Sequence, residues 1–369
     1  MESFWPLLRP NFVLEILPLQ APISSPSDKS SREMNQNNSK ENPQTSDQPL
    51  VWTALITPLF DNDEIDYDSL HKLVLQQNSA QNGILLLGST GEGLALTATE
   101  HLSIVEYVCA MALQVPIMVA VGGYNLKEQL AWIAKCNSLP IDAYLLGSPI
   151  YAKPGPVGQR LWFNSLLDAA NFPCMLYNVP SRSGVEISIS TLQALQSHKN
   201  CWALKEASGD LHKLLAYKEH CPELALYSGE DAMMPYLAGA KVKGLVSVCA
   251  NVWPMATRQY VAMALAHQNE GLFPLWHKAI AALFQVASPI PVKVLMAELK
   301  TISSAQLRLP LSHKEIAEKS ALLEVHQTIQ QWLEANANHP LAHVHSIESI
   351  CSVTELHYST PTNLREVNS

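Results

Sequence analysis

Two stretches, Cys174-Met-Leu-Tyr-Asn-Val-Pro-Ser-Arg-Ser-Gly184 and Cys201-Trp-Ala-Leu-Lys-Glu-Ala-Ser-Gly-Asp210, share one pattern. Each is a short apolar run that closes on a residue able to handle protons, Tyr177 or Lys205, and then breaks into Ser and Gly. Apolar runs without alternation are the signature of strands buried on both faces of a parallel sheet. The same unit of apolar run, loop and longer helical stretch recurs from residue 51 at intervals of about 25 to 35 residues. It places candidate strands at 52–57, 84–87, 117–121, 143–146, 174–178, 202–205, 224–227 and 244–248. Eight such runs with room for crossover helices predict an α/β chain built as a (β/α)8 TIM barrel over 50–255, rather than an open doubly wound sheet. Beyond Trp253 the period changes. Segments 256–267, 270–287, 289–301 and 312–335 are apolar at helical spacing and predict a small helical C-terminal domain over 256–335. Residues 336–369 have no clear period and read as a loosely ordered tail.

Composition narrows the function classes. With 47% hydrophobic and only 15% charged residues, the chain can bury a large core. Its net charge of -9, with no basic run, argues against nucleic acid or an anionic membrane as partner. Seven scattered cysteines without a Cys-x-x-Cys pair read as buried free thiols in a reducing compartment. The apolar first 22 residues are broken by Pro6, Pro10, Pro18 and Pro22, so no membrane span is expected. They also lack the order of a secretory signal. Residues 23–49 are polar and poor in core formers, so 1–49 read as a disordered extension with Met34 as an alternative start. Cytoplasmic residence is the expectation.

A barrel enzyme assembles its site at the carboxyl ends of its strands. Ser89 and Thr90 follow the second candidate strand, Tyr151 follows the fourth, Tyr177 and Lys205 end the fifth and sixth, and Val246 lies in the eighth. Taken singly, each has an ordinary structural use: a solvated lysine, a core tyrosine, or a helix-capping serine or threonine. One convergent site accounts for the whole set. A strand-end amine beside a tyrosine can condense with a ketone and hold it as a Schiff base, which needs neither metal nor cofactor.

The segments Leu87-Gly-Ser-Thr-Gly-Glu92, Ser148-Pro-Ile-Tyr151, Tyr177-Asn-Val-Pro-Ser-Arg182 and Leu204-Lys-Glu-Ala-Ser-Gly-Asp210, followed by Pro289-Ile-Pro-Val-Lys293 and Leu307-Arg-Leu-Pro-Leu311, resemble the pyruvate-dependent class I aldolase family that includes the dihydrodipicolinate synthases and N-acetylneuraminate lyases. The resemblance covers about residues 50 to 330. It implies that Lys205 forms the imine with pyruvate, and that Tyr177 moves protons in a relay with Ser89 and with a Tyr151 inserted from a partner subunit. It also implies that Thr90 and the amides of the Gly88–Gly91 turn seat the pyruvate carboxylate. Val246 corresponds to a residue whose backbone carbonyl touches pyruvate, although its side chain reads equally well as barrel core. A homo-oligomer, usually a dimer of dimers, is implied as well.

Arg182 separates the two branches of the family. In the synthases an arginine of Asn-Val-Pro-Ser-Arg receives the carboxylate of L-aspartate 4-semialdehyde, whereas the lyases carry an apolar residue there. A guanidinium fork suits that carboxylate. The resemblance therefore implies synthase activity, the condensation of pyruvate with L-aspartate 4-semialdehyde on the route to lysine and diaminopimelate. A lyase or other pyruvate-dependent aldolase is the alternative, and a non-catalytic metabolite-binding barrel a more distant one. Family members inhibited by lysine bind it at the tight-dimer interface, and the matching positions here are Gly93, Ala98, His101, Asn125, Gln129 and Ile150. With the effector's charged partner replaced by Gln129, weak sensitivity or none is expected.

Overall fold

The computed structural model describes residues 48–358, so the readings made on residues 1–47 and 359–369 lie outside the described residues. Eight strands, β1 (Val51–Ala54), β2 (Gly83–Leu86), β3 (Ile117–Val121), β4 (Ala143–Gly147), β5 (Cys174–Asn178), β6 (Cys201–Glu206), β7 (Ala225–Ser228) and β8 (Gly244–Ser247), follow the predicted runs. Each pairs in parallel with the next, and β8 closes on β1. Helices separate the strands, as a parallel barrel requires.

Two layers of apolar side chains follow from the alternation of strand residues. Trp52, Leu85, Met118, Met175, Tyr227 and Val246 fill the barrel interior. The intervening positions pack outward against the helices, for example Ile84, Leu86, Val119, Leu146, Leu176 and Leu204. The helices start where their caps allow. Thr97 and Glu100 form a reciprocal capping box before Ala98–Cys109, and Asp210 accepts from the amides of His212 and Lys213 at the start of Leu211–His220.

The helical C-terminal part, Pro254–Leu265, Leu275–Leu283, Ile290–Glu298 and Ser320–Ala335, shares the outer core of the barrel. Its centre is aromatic: Tyr260 stacks on Trp276 at 4.3 Å, and Trp332 meets the same ring edge-on at 5.3 Å. Ser312 caps only a single turn, His313–Glu315, so the long helix begins at Ser320 and not near 312.

Two further boundaries differ from the sequence reading. The first strand ends at Ala54, short of 57, because the Asn251 side chain takes over its edge. Asn251 Oδ1 accepts from Ile56 N–H at 2.9 Å, and Nδ2 donates to Ala54 O at 2.8 Å. The tail expected to be loose from 336 is instead packed through residue 353: Leu341, Ala342, Val344 and Ile350 are buried, and Ile347–Tyr358 is helical. No helix among the described residues is long and apolar enough to cross a membrane. Cys136, Cys174, Cys201, Cys221 and Cys249 are buried free thiols, whereas Cys109 is half-buried and Cys351 exposed.

Candidate active site

Strand register brings the central pair together. Tyr177 on β5 lies directly beside Lys205 on β6, which in turn neighbours Tyr227 on β7. Lys205 is buried, and its Nζ sits 4.3 Å from the centre of the Tyr177 ring. This is a cation–π geometry when the amine is protonated. Among the described residues no carboxylate forms an ion pair with it. The approach of β7 makes the fit tight, since a Cβ added at Gly229 would lie 2.8 Å from Lys205 Cε.

Two carboxyls outside the predicted set stand at the ends of the neighbouring strands β6 and β7. Glu206 is buried and accepts from Asn178 Nδ2 at 2.6 Å and from Ser208 N–H at 2.8 Å. Burial raises its pKa against the opposing pull of those hydrogen bonds. Glu230 follows β7 and is raised by burial and by the neighbouring Asp231, while Lys205 acts to lower it. The strand-end rule, applied to Tyr227-Ser-Gly-Glu230 as it was to the other strands, would have found it.

The Gly88–Gly91 turn follows β2, with Gly88, Thr90 and Gly91 buried and Ser89 half-buried. Three of its four carbonyls are occupied: Gly88 O accepts from Gly93 N–H, Ser89 O from Glu92 N–H, and Gly91 O from Thr57 Oγ1. No hydrogen bond within the described residues engages the N–H groups of Ser89, Thr90 or Gly91. Consecutive unengaged amides on a tight turn make an anion-binding concavity.

Gly88, Ser89, Tyr177 and Arg182 line one cavity of about 630 Å³. Ser148 also lines it, with a buried hydroxyl that has no hydrogen-bond partner among the described residues. Such an orphan is expected to meet water or ligand. Arg182, on the short helix Pro180–Ser183, is exposed and is steadied by one bond from Nη2 to Ser288 O at 3.2 Å. The rest of its fork is available to a ligand. Val246 is fully buried in the barrel interior, as its core reading required.

Tyr151 is not among the residues lining this cavity. It is 89% exposed, in a left-handed backbone conformation with φ 69°. A non-glycine residue holds that conformation only where its surroundings enforce it. The exposed Tyr124 lies on the neighbouring loop, where Ile150 N–H donates to Gly123 O. Of the positions matched to lysine binding, Gly93, Ala98, His101, Gln129 and Ile150 line the same cavity, together with Glu128. Among the described residues no three His, Cys, Asp or Glu side chains stand together as a metal site would need.

Residues 49–332 match the dihydrodipicolinate synthetase family. Over 283 residues the chain is 45% identical to a 4-hydroxy-tetrahydrodipicolinate synthase of Francisella philomiragia, spanning 76% of this chain and 96% of that protein. Over 286 residues it is 41% identical to the enzyme of the same name from Wolbachia pipientis, spanning 77% and 97%. Among solved structures, a dihydrodipicolinate synthase from Bacillus anthracis superposes with a TM-score of 0.72 at 29% identity, covering 76% of this chain and 98% of that one. The eight-stranded closed barrel, its strand-end lysine and these matches agree, and the chain belongs to the dihydrodipicolinate synthetase family of lyase-type enzymes.

Proposed function

We propose that this enzyme condenses pyruvate, held as a Schiff base on Lys205, with L-aspartate 4-semialdehyde, the reaction of a 4-hydroxy-tetrahydrodipicolinate synthase. The observation that carries the reading is the Lys205 amine, buried at the carboxyl end of β6, in no ion pair among the described residues and set over Tyr177. In its neutral form the amine attacks the ketone of pyruvate. The carbonyl oxygen then leaves as water once it is protonated, and a C=N bond remains. The protonated imine acidifies the neighbouring methyl group, so loss of one proton gives the enamine that attacks the aldehyde carbon. Tyr177 is the proton carrier, with Ser89 and the partner subunit's Tyr151 as its relay.

The unengaged amides of the Ser89–Gly91 turn, with Thr90, seat the pyruvate carboxylate. Arg182 takes the carboxylate of the second substrate, which is the contact that favours a synthase over a sialic-acid lyase. The backbone of Val246 borders the pyruvate site. An exposed, strained Tyr151 that completes a neighbour's site requires at least a dimer, and a dimer of dimers fits the family pattern. Free buried thiols suit a cytoplasmic setting.

Incubation with pyruvate and borohydride, followed by mapping of the reduced adduct, tests the assignment. The adduct is expected on Lys205, and Lys205→Ala should abolish it without loss of fold. An adduct on Lys243 or Lys293 would overturn the assignment. The same preparation should turn over L-aspartate 4-semialdehyde and not N-acetylneuraminate.

A further inference from the structure

The turn that carries Ser89 and Thr90 is fastened from outside the barrel. Glu92, the residue that follows it, is 5% exposed and holds a left-handed φ of 55°. Its Oε1 accepts from Lys293 Nζ at 2.5 Å, across 201 positions of sequence, and its Oε2 accepts from Arg308 N–H at 2.7 Å. Lys293 is fully buried and spends a second donor on Gln306 O at 2.7 Å. The Arg308 guanidinium continues outward to Glu100 at 2.5 Å and Asp63 O at 2.6 Å. Both partners come from the helical part that follows the barrel, from the Pro289–Lys293 and Leu307–Leu311 segments.

A buried ion pair is a poor source of stability, because its desolvation cost consumes most of the attraction. It is a good source of specificity. With both charges stripped of water, one arrangement of the Glu92 carboxylate satisfies the ammonium and the Arg308 amide together, and others leave a buried charge unpaired. The beneficiary is the backbone next to Glu92. A left-handed non-glycine residue persists only where its surroundings over-determine it. The amides that would hold an anion are the three immediately before it, and a binding constellation has to be kept within about 0.5 Å of its productive geometry.

We propose that Lys293 and Arg308 act through Glu92 as positioning residues for the substrate-carboxylate seat at Ser89–Gly91, so that the helical part of the chain sets affinity for the keto acid. The proposal rests on the reading of that turn as the seat. None of the three residues touches the reacting atoms. The clamp acts on the carboxylate end of pyruvate and leaves the ketone chemistry at Lys205 unchanged.

The test compares pyruvate with pyruvamide, which keeps the ketone but has no carboxylate charge. Both are trapped on Lys205 with borohydride, and the double variant Glu92→Gln/Lys293→Met removes both buried charges at once. The half-saturating pyruvate concentration is expected to rise by about tenfold, the scale of one loosened charge-assisted hydrogen bond, while the pyruvamide trapping rate stays within about twofold. Equal loss with both ketones, or loss with neither, overturns the clamp. Thr90→Ala distinguishes the two ideas. If it leaves pyruvate saturation unchanged, the carboxylate seat itself is wrong; if it weakens pyruvate and the double variant does not, only the clamp is wrong. A second readout needs no variant. Pyruvate added to the native enzyme should slow amide hydrogen exchange in the 306–309 segment together with the 88–93 turn, because the Arg308 N–H is bonded to Glu92. A protected turn beside an unchanged 306–309 segment refutes the coupling.

Discussion

Substitution of Gly229 by alanine isolates the placement of the Lys205 amine from its chemistry. Gly229 lies outside the left-handed region, so alanine meets no backbone penalty there, and the whole effect comes from one methyl group. That methyl would lie 2.5 Å from Ala207 Cβ, 2.8 Å from Lys205 Cε and 3.2 Å from Glu206 O. The backbone cannot simply retreat, because Gly229 N–H donates to Glu206 O at 2.6 Å. Ala207 is buried and fixed to Asn178 O by its own amide, so its 2.5 Å contact is relieved only by parting the ends of β6 and β7, and the Lys205 stem is displaced with them. A displacement of roughly 1 Å at a reacting atom commonly costs about 10²-fold in rate. Overpacking of this kind costs about 1 to 3 kcal/mol of stability. Borohydride trapping with pyruvate, turnover with L-aspartate 4-semialdehyde and a thermal melt measure the two effects separately. The expected result is a clear fall in Tm together with a loss of trapping near 10²-fold. Trapping within twofold of the parent, with Tm unchanged, would refute the argument that β7 holds the amine in place.

Arg182→Ala is expected to lower kcat/KM for L-aspartate 4-semialdehyde by the equivalent of about 1.5 to 3 kcal/mol while imine trapping with pyruvate persists, and equal loss of both steps would mean that the arginine serves the fold. Mixing inactive Tyr151→Phe with inactive Lys205→Ala protomers should restore activity through hybrid dimers; none after demonstrated subunit exchange would argue against a shared site. L-Lysine is expected to inhibit weakly, because Glu128, the one carboxylate among these cavity residues, already accepts from Asn125 Nδ2 at 2.9 Å. Half-inhibition at or below about 1 mM, a binding free energy near -4 kcal/mol, would sink that expectation.

The legible part of this molecule is the part whose contacts repeat. Each strand is a local apolar run, and the rule that barrel sites stand at carboxyl strand ends converts eight local readings into one place in space. Tyr177, Lys205 and Ser89 fall out of that rule together, whereas Arg182 is picked out only by the family resemblance. The clamp on Glu92 does not. Lys293 lies in the helix Ile290–Glu298, where the sequence offers only an apolar pattern, and its partner is 201 residues away. The motifs flag both residues, but only coordinates join them. Tyr151 is a related case: its exposure and left-handed φ are properties of a backbone turn that its residue type does not favour.

The segment from 336 to 353 was illegible for a different reason. Its apolar residues Leu341, Ala342, Val344 and Ile350 obey neither period because most of them sit in irregular chain, whose polar groups would be stranded if buried alone. Distant elements satisfy them. Arg258, 3% exposed, donates from Nη2 to Ala342 O at 2.8 Å and from Nη1 to Ala80 O at 2.7 Å; Gln259 Nε2 donates to Asn336 O at 2.8 Å; and Leu50 N–H donates to His345 O at 3.3 Å. Leu50 leads into β1 and Ala80 into β2, so these anchors sit at the amino ends of the strands, the face of a barrel that carries stability rather than chemistry. The chain after the barrel therefore has two separate jobs. Residues 288–308 reach the carboxyl ends and hold Arg182 and Glu92, whereas 336–353 close the opposite end. A substitution in the first segment should be felt in substrate binding, and one in the second chiefly in unfolding.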